Sequence, residues 1–312
     1  MTNVDDIYKN NRQLIDCETI KDCKQYIDIM LDCMFSVVIN TNPRYSELDI
    51  QGDAKIMLQM FYLKCMNVRC LIDGCGFEQK QENQVYTLSP IVDYASIFSL
   101  VRSLYEAFCA FELIFVLPDT KEKRLIMYES FQIQGYQERQ SYYHSSCYVK
   151  QKENEAILIN VAKQNIRNTD LYKNLSTNTK NAIEQNHTFW RYFDTNNEIH
   201  KFKKETDYIL FGIKTEVFED MYSYFSLYSH PSYISIIQFK DAFNDNIEQQ
   251  NQFVSTAVRN IIVLMSFIIA DFCELFPTCN DLIKSMDKAK RNLVFFFDND
   301  FRDKKINILP LE

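Results

Sequence analysis

Apolar positions recur at helical spacing along most of the chain. Ile15, Ile20, Ile27, Met30, Leu31, Met34 and Phe35 set one such pattern within 1–38, and Ile56, Met57, Met60, Phe61, Leu63 and Val68 set another within 53–72. From Ser89-Pro90 to Leu117 the chain is apolar nearly all round, which predicts a central helix closed by Pro118-Asp119. Further core helices are predicted over 207–229, 245–276 and 279–297. The polar stretch NTNPRYSELDIQGD reads as a loop, and so does DGCGFEQKQENQ at 73–84, which holds two of the five glycines. Residues 121–165 predict two charged, amphipathic helices broken near 144–147. Residues 169–188 predict an exposed helix, and DTNNEIHKFKKET at 194–206 a connection. The expectation is all-α: a single multi-helix bundle over 1–312, with a polar helical decoration at about 121–206 whose 150–206 part has no core of its own.

Composition narrows this picture. Apolar residues make up 46% and charged residues 24%, enough for a substantial core and too apolar for disorder. Only 5 glycines and 6 prolines are present, which disfavours phosphate-cradling loops and parallel sheets. A net charge of −8 argues against general DNA or RNA coating, because that binding is driven by phosphate neutralisation. The basic runs at 121–124, 201–204 and 288–291 read first as solvated helix ends, and they leave room for contact with one structured RNA. Cys17, Cys23, Cys33, Cys65, Cys70, Cys109 and Cys273 lie in or beside apolar helical stretches. With no Cys-x-x-Cys pair and no secretory leader at MTNVDDIYKN, free and mostly buried thiols in the cytoplasm are expected. The run IIVLMSFIIA at 261–270 is too short to span a bilayer and runs into Asp271 and Glu274.

Two segments carry the candidate chemistry. In SIFSLVRSLYEAFCAFELIF, Ser99, Arg102, Ser103, Glu106 and Ala110 share one face of a greasy helix. In KTEVFEDMYSYFSLYSHPSYISI, Glu216, Glu219, Asp220, Ser223, Ser226 and His230 form a stripe opposite Val217, Met221, Tyr224, Phe225 and Tyr228. Pro231 places His230 at a helix C-terminus, where the dipole favours imidazolium. Facing stripes would bring Arg102, Glu106 and His230 together.

LVRSLYEAF followed much later by YSYFSLYSHPS resembles a widespread bacterial all-helical family of unknown function that is itself similar to HEPN domains. The match lies at Arg102, Glu106, Ser226 and His230 and extends loosely over about 50–275. It implies an α-bundle with a role in phage defence or toxin–antitoxin biology. HEPN ribonucleases also resemble one another in an Arg followed four to six residues later by His. Arg139 and His144 have that spacing, one that eleven arginines and four histidines readily produce by chance.

Metal-free RNA cleavage needs proton-transfer groups and a cation on the developing phosphorane charge. His230 would be the acid/base, Arg102 the phosphate clamp and Glu106 its positioning partner. The alternative is a non-catalytic binding or regulatory module, with an Arg–Glu pair and a capping histidine that lock two helices in register. It would dock a protein partner or form a homodimer. No metal and no cofactor are expected: Glu184-Gln-Asn-His187 is a lone Glu-x-x-His, and no HExxH, Walker, dinucleotide or Gly-x-Ser-x-Gly motif occurs. Phe189, Trp190, Tyr192 and Phe193 form an aromatic knot suited to core or partner packing.

Overall fold

The structure is a computed structural model that describes residues 17–41, 49–82, 84–142, 146–184, 191–202, 220–229, 232–243, 247–302 and 307–311. The architecture is all-α with two short hairpins. The chain divides into two compact units. One comprises Met1–Phe108, Ile209–Lys305 and Glu312, the other Cys109–Tyr208 and Ile306–Leu311.

In the first unit, α1 (Ile20–Asn40) starts where Thr19 and Asp22 make a reciprocal capping box. α2 (Ile50–Leu71) starts where Asp49 accepts from the Gly52 amide at 2.7 Å. The central helix, α3 (Tyr94–Phe111), begins later than Ser89-Pro90 suggests. Asp93 caps it by accepting from the Ser96 amide at 3.1 Å. The residues before it form a strand: β1 (Cys75–Gln81) and β2 (Gln84–Ile91) make an antiparallel hairpin where the sequence predicts a loop followed by helix. Val85, Tyr86, Thr87 and Leu88 favour extended backbone, and Gly74, at φ +83, makes the turn into β1. A Cβ at Gly74 would also meet the Ile91 amide nitrogen at 3.1 Å.

After α8 (Met221–Ser226) and α9 (Tyr233–Phe243), the core of this unit lies around α10 (Ile247–Leu275), which packs against α1 and α12 (Lys288–Phe301), while α1 also packs against α2 and α11 (Cys279–Ser285). α10 has the length and composition to cross a membrane, an option that its ten-residue apolar run alone does not provide. However, 89% of its most apolar window is buried inside the protein, as in a core helix. Its buried Asp271 pairs with Arg302, whose Nε donates to Asp298 at 2.6 Å and whose guanidinium lies 4.8 Å from the Phe267 ring centroid. Seven of the ten cysteines are buried and none is bridged; Cys70, expected to be sheltered, is exposed with Cys75 and Cys147.

In the second unit, the helical course of α3 continues through a π-turn, Glu112–Val116, and stops before Pro118. α4 (Lys121–Ser141), capped by Thr120, packs on α5 (Val149–Asn168), with the break between them where the sequence places it. α6 (Asp170–Asn174), capped by Thr169, and α7 (Thr177–Glu184) replace the expected single exposed helix, because Ser176 caps a new helix by accepting from the Thr179 amide at 3.1 Å. The segment expected to be a bare connection forms a second hairpin, β3 (Arg191–Phe193) with β4 (Ile199–Lys201). Ile126, Ile133, Ala162, Ile166, Tyr172, Leu175 and Ile183 form an apolar cluster, so the expected decoration has a core of its own. Arg124, buried, donates to the carbonyls of Leu309 and Pro310.

Candidate functional site

The polar stripe of α3 meets α8 (Met221–Ser226); the 207–219 part of the helix expected over 207–229 lies outside the described residues. Rings hold the two together. Phe98 is fully buried, with centroids 4.6 Å from Tyr228, 5.2 Å from Phe225, 5.4 Å from Tyr224 and 5.9 Å from Phe253. Such tilted and edge-on pairs add directional preference to a large burial of apolar area. Ser99 Oγ donates to the Tyr228 carbonyl at 3.2 Å, tying the stripe to the C-terminal end of α8.

At the other end of the contact, Arg102, Glu106 and Tyr222 close a triangle. Arg102 Nε donates to the Tyr222 hydroxyl at 3.3 Å, that hydroxyl donates to Glu106 Oε1 at 2.8 Å, and Arg102 Nε lies 3.2 Å from the same carboxylate oxygen. The guanidinium sits 5.4 Å from the Tyr222 ring centroid, within cation–π range. Tyr222 is buried, whereas the Arg102 and Glu106 side chains are 25% and 39% exposed. Burial first, and then the bond to Glu106, pushes the Tyr222 phenol up to about 12, so it is a neutral bridge at ordinary pH. On the same stripe, Ser103 Oγ accepts from Lys64 Nζ of α2 at 2.6 Å.

The expected convergence is therefore present in part. Arg102 and Glu106 meet α8, but through Tyr222, an aromatic position that the sequence pattern assigns to neither the polar stripe nor the apolar face. Tyr222 stands four residues before Ser226 and shares its stripe; its polar tip was hidden by an aromatic body. Ser226 turns away from the pair: its hydroxyl donates to the Tyr222 carbonyl at 2.7 Å, a local back-bond. His230 lies outside the described residues, as do Glu216, Glu219 and the Phe189-Trp190 part of the aromatic knot.

The second expected pair fares similarly. His144 and the Glu-x-x-His histidine, His187, lie outside the described residues. Arg139, in the other compact unit, reaches the buried Glu155 at 2.7 Å and joins α4 to α5. Gln140 donates to the second Glu155 oxygen at 3.2 Å, which makes this a helix-to-helix tie. Among the described residues the histidine is His200, whose ring bonds Asp194 at 2.9 Å across the β3–β4 turn. Its presence holds the Asp194 carboxyl below its ordinary range. No group of three or more His, Cys, Asp or Glu suited to a metal ion occurs among the described residues. No protein-family model, no curated protein and no solved structure matches this chain.

Proposed function

We propose that this chain is a helical interaction module that docks a protein partner on the outer face of α2, with the Arg102–Glu106–Tyr222 triangle serving to fix helix register. The observation that carries this is that α2 is apolar on two sides. Its inner side buries Leu58, Phe61, Cys65 and Val68. Its outer side exposes Ile56, Met60, Leu63 and Met66, at 38%, 54%, 59% and 36%. Spacings of four, three and three residues align these side chains in one stripe. A contiguous apolar stripe in water marks a binding surface more often than a single exposed leucine does. Its spacing suits the apolar face of an amphipathic helix, and methionines let such a surface adapt.

The decisive experiment is proximity labelling in cells with the parent chain, Leu63→Glu and Arg102→Ala. A defined partner lost with Leu63→Glu at unchanged melting temperature, yet retained with Arg102→Ala, supports the module. Labelling patterns that are identical for all three chains overturn it.

A second reading, a metal-independent HEPN-like ribonuclease of prokaryotic defence, is favoured by one observation. Arg102 keeps a quarter of its side chain exposed while Glu106 and Tyr222 anchor it, an arrangement able to meet a phosphate. Incubation with tRNA and total RNA in EDTA separates the two. Cleavage that disappears in both Arg102→Ala and His230→Ala would replace the module with the nuclease.

A further inference from the structure

The β1–β2 hairpin stands out as a piece of sheet with nothing on it. Every residue of β1 and every residue of β2 before Ile91 is exposed, including Phe77 at 65%, Val85 at 57%, Tyr86 at 53% and Leu88 at 51%. Among the described residues the sheet has two strands, so the outer edge of each is unpaired. An isolated two-stranded ribbon is marginal at best in water, and an open edge is a template for another strand.

The edge of β1 specifies which strand. Gln81 pairs with Gln84 across residues 82 and 83, with Glu82 at φ 48 as a tight hairpin connection requires. A two-residue connection makes Gln81–Gln84 a hydrogen-bonded pair, and such pairs alternate along an antiparallel ladder. The backbone groups of Glu78 and Lys80 therefore point outward, away from β2. A strand joining that edge must pair with these two positions, and β1 of a second copy offers the same two.

Three antiparallel registers satisfy the alternation near the strand centre. Two of them set Glu78 against the partner's Glu78 or Lys80 against the partner's Lys80. The third, symmetric about Gln79, sets Glu78 against the partner's Lys80 and Lys80 against the partner's Glu78. Like charges directly opposite destabilise a ladder and opposite charges support it, so charge selects the third register. A lone edge lysine deters pairing; with a glutamate two residues before it, the edge becomes self-complementary. β2 carries no such code, its outward positions being Val85 and Thr87.

We infer that two copies of this chain associate edge to edge through β1, forming a four-stranded antiparallel sheet β2–β1–β1–β2 with a twofold axis at Gln79. The interface is isologous, as closed dimers require. This association is independent of the α2 surface, so either assignment can fail alone.

Sedimentation of the full chain over a range of concentrations tests it. The parent should show a monomer–dimer equilibrium. Glu78→Lys and Lys80→Glu should each weaken it by about tenfold or more, because both cross-strand pairs become repulsive. Mixing the two variants should restore a dimer, since a chain with two lysines then faces one with two glutamates. Gln79→Cys should cross-link on mild oxidation beyond the background of the parent, because non-hydrogen-bonded partners stand about 4.5 Å apart between Cα atoms. Gln81→Cys, facing the partner's Phe77, should not. A chain that stays monomeric, a dimer unaffected by either charge reversal, or a mixture of variants that fails to associate overturns the inference.

Discussion

Replacing Arg302 by methionine should cost the larger unit about 3–5 kcal/mol, the usual penalty for leaving one member of a buried ion pair uncompensated. The Arg302 and Asp271 side chains are 8% and 5% exposed, and Asp271 lies in the most apolar part of α10. Methionine preserves the contact with Phe267 but removes the cation that faces Asp271, a buried carboxylate on a helix whose neighbouring Ile268, Ile269 and Phe272 are buried as well. Asp298 is 24% exposed, so its share of the guanidinium is solvent-screened and Asp298→Ala should cost only about 0–1 kcal/mol. At about 2–4 °C per kcal/mol for a unit of this size, Arg302→Met lowers the melting temperature by about 6–20 °C. Adding Asp271→Asn should recover most of the loss, because an amide is far cheaper to bury than a charge. Urea unfolding followed by circular dichroism gives all four corners of the double-mutant cycle. Arg302→Met within about 1 kcal/mol of the parent would refute the reasoning, as would a double mutant no more stable than Arg302→Met.

Phe98→Ala should lose about 3–5 kcal/mol and loosen α8 in particular, seen as faster amide exchange at Tyr224 and Phe225. Tyr222→Phe should cost about 1–2 kcal/mol by leaving Arg102 and Glu106 without their bridge, whereas Ser226→Ala should be nearly neutral in the same unfolding assay. Alkaline pH should destabilise the fold through Tyr94, Tyr172 and Tyr222, each pushed up to about 12 chiefly by burial. Unfolded tyrosine ionises near about 10, so between about 10 and 12 the unfolded chain sheds protons that the folded chain keeps, and stability falls as pH rises. Phenolate absorbance at 295 nm should lag in the folded protein over that window; simultaneous titration of all tyrosines without unfolding would contradict it.

The helices that the sequence revealed are those with a sustained apolar period, reinforced in α1 and α2 by a side-chain cap. α1, α2 and α10 fall where Ile27, Phe61 and Ile261 and their neighbours place them. The first hairpin was illegible for a physical reason. Its strands are exposed on both faces, so residues such as Phe77 and Gln79 carry no apolar-polar alternation, and Ser89-Pro90 imitates a helix start that belongs to Asp93. Arg102 and Glu106 were legible because one helical turn links them. Tyr222 was not, since an aromatic residue counts as core until its hydroxyl is seen to bridge two charges. The Arg302–Asp271 pair leaves no local trace, because its partners stand 31 residues apart and meet only through packing.

The grip of Arg124 on Leu309 and Pro310 sets a timetable for folding. The arginine leaves the ribosome 185 residues ahead of its acceptor at Leu309. Until then its guanidinium, held down to about 10 by burial once folded, has no carbonyls to enter the interior with. The Arg124 contact thus cannot form during synthesis of the smaller unit's own central segment. It waits for nearly a hundred residues of the larger unit to pass first.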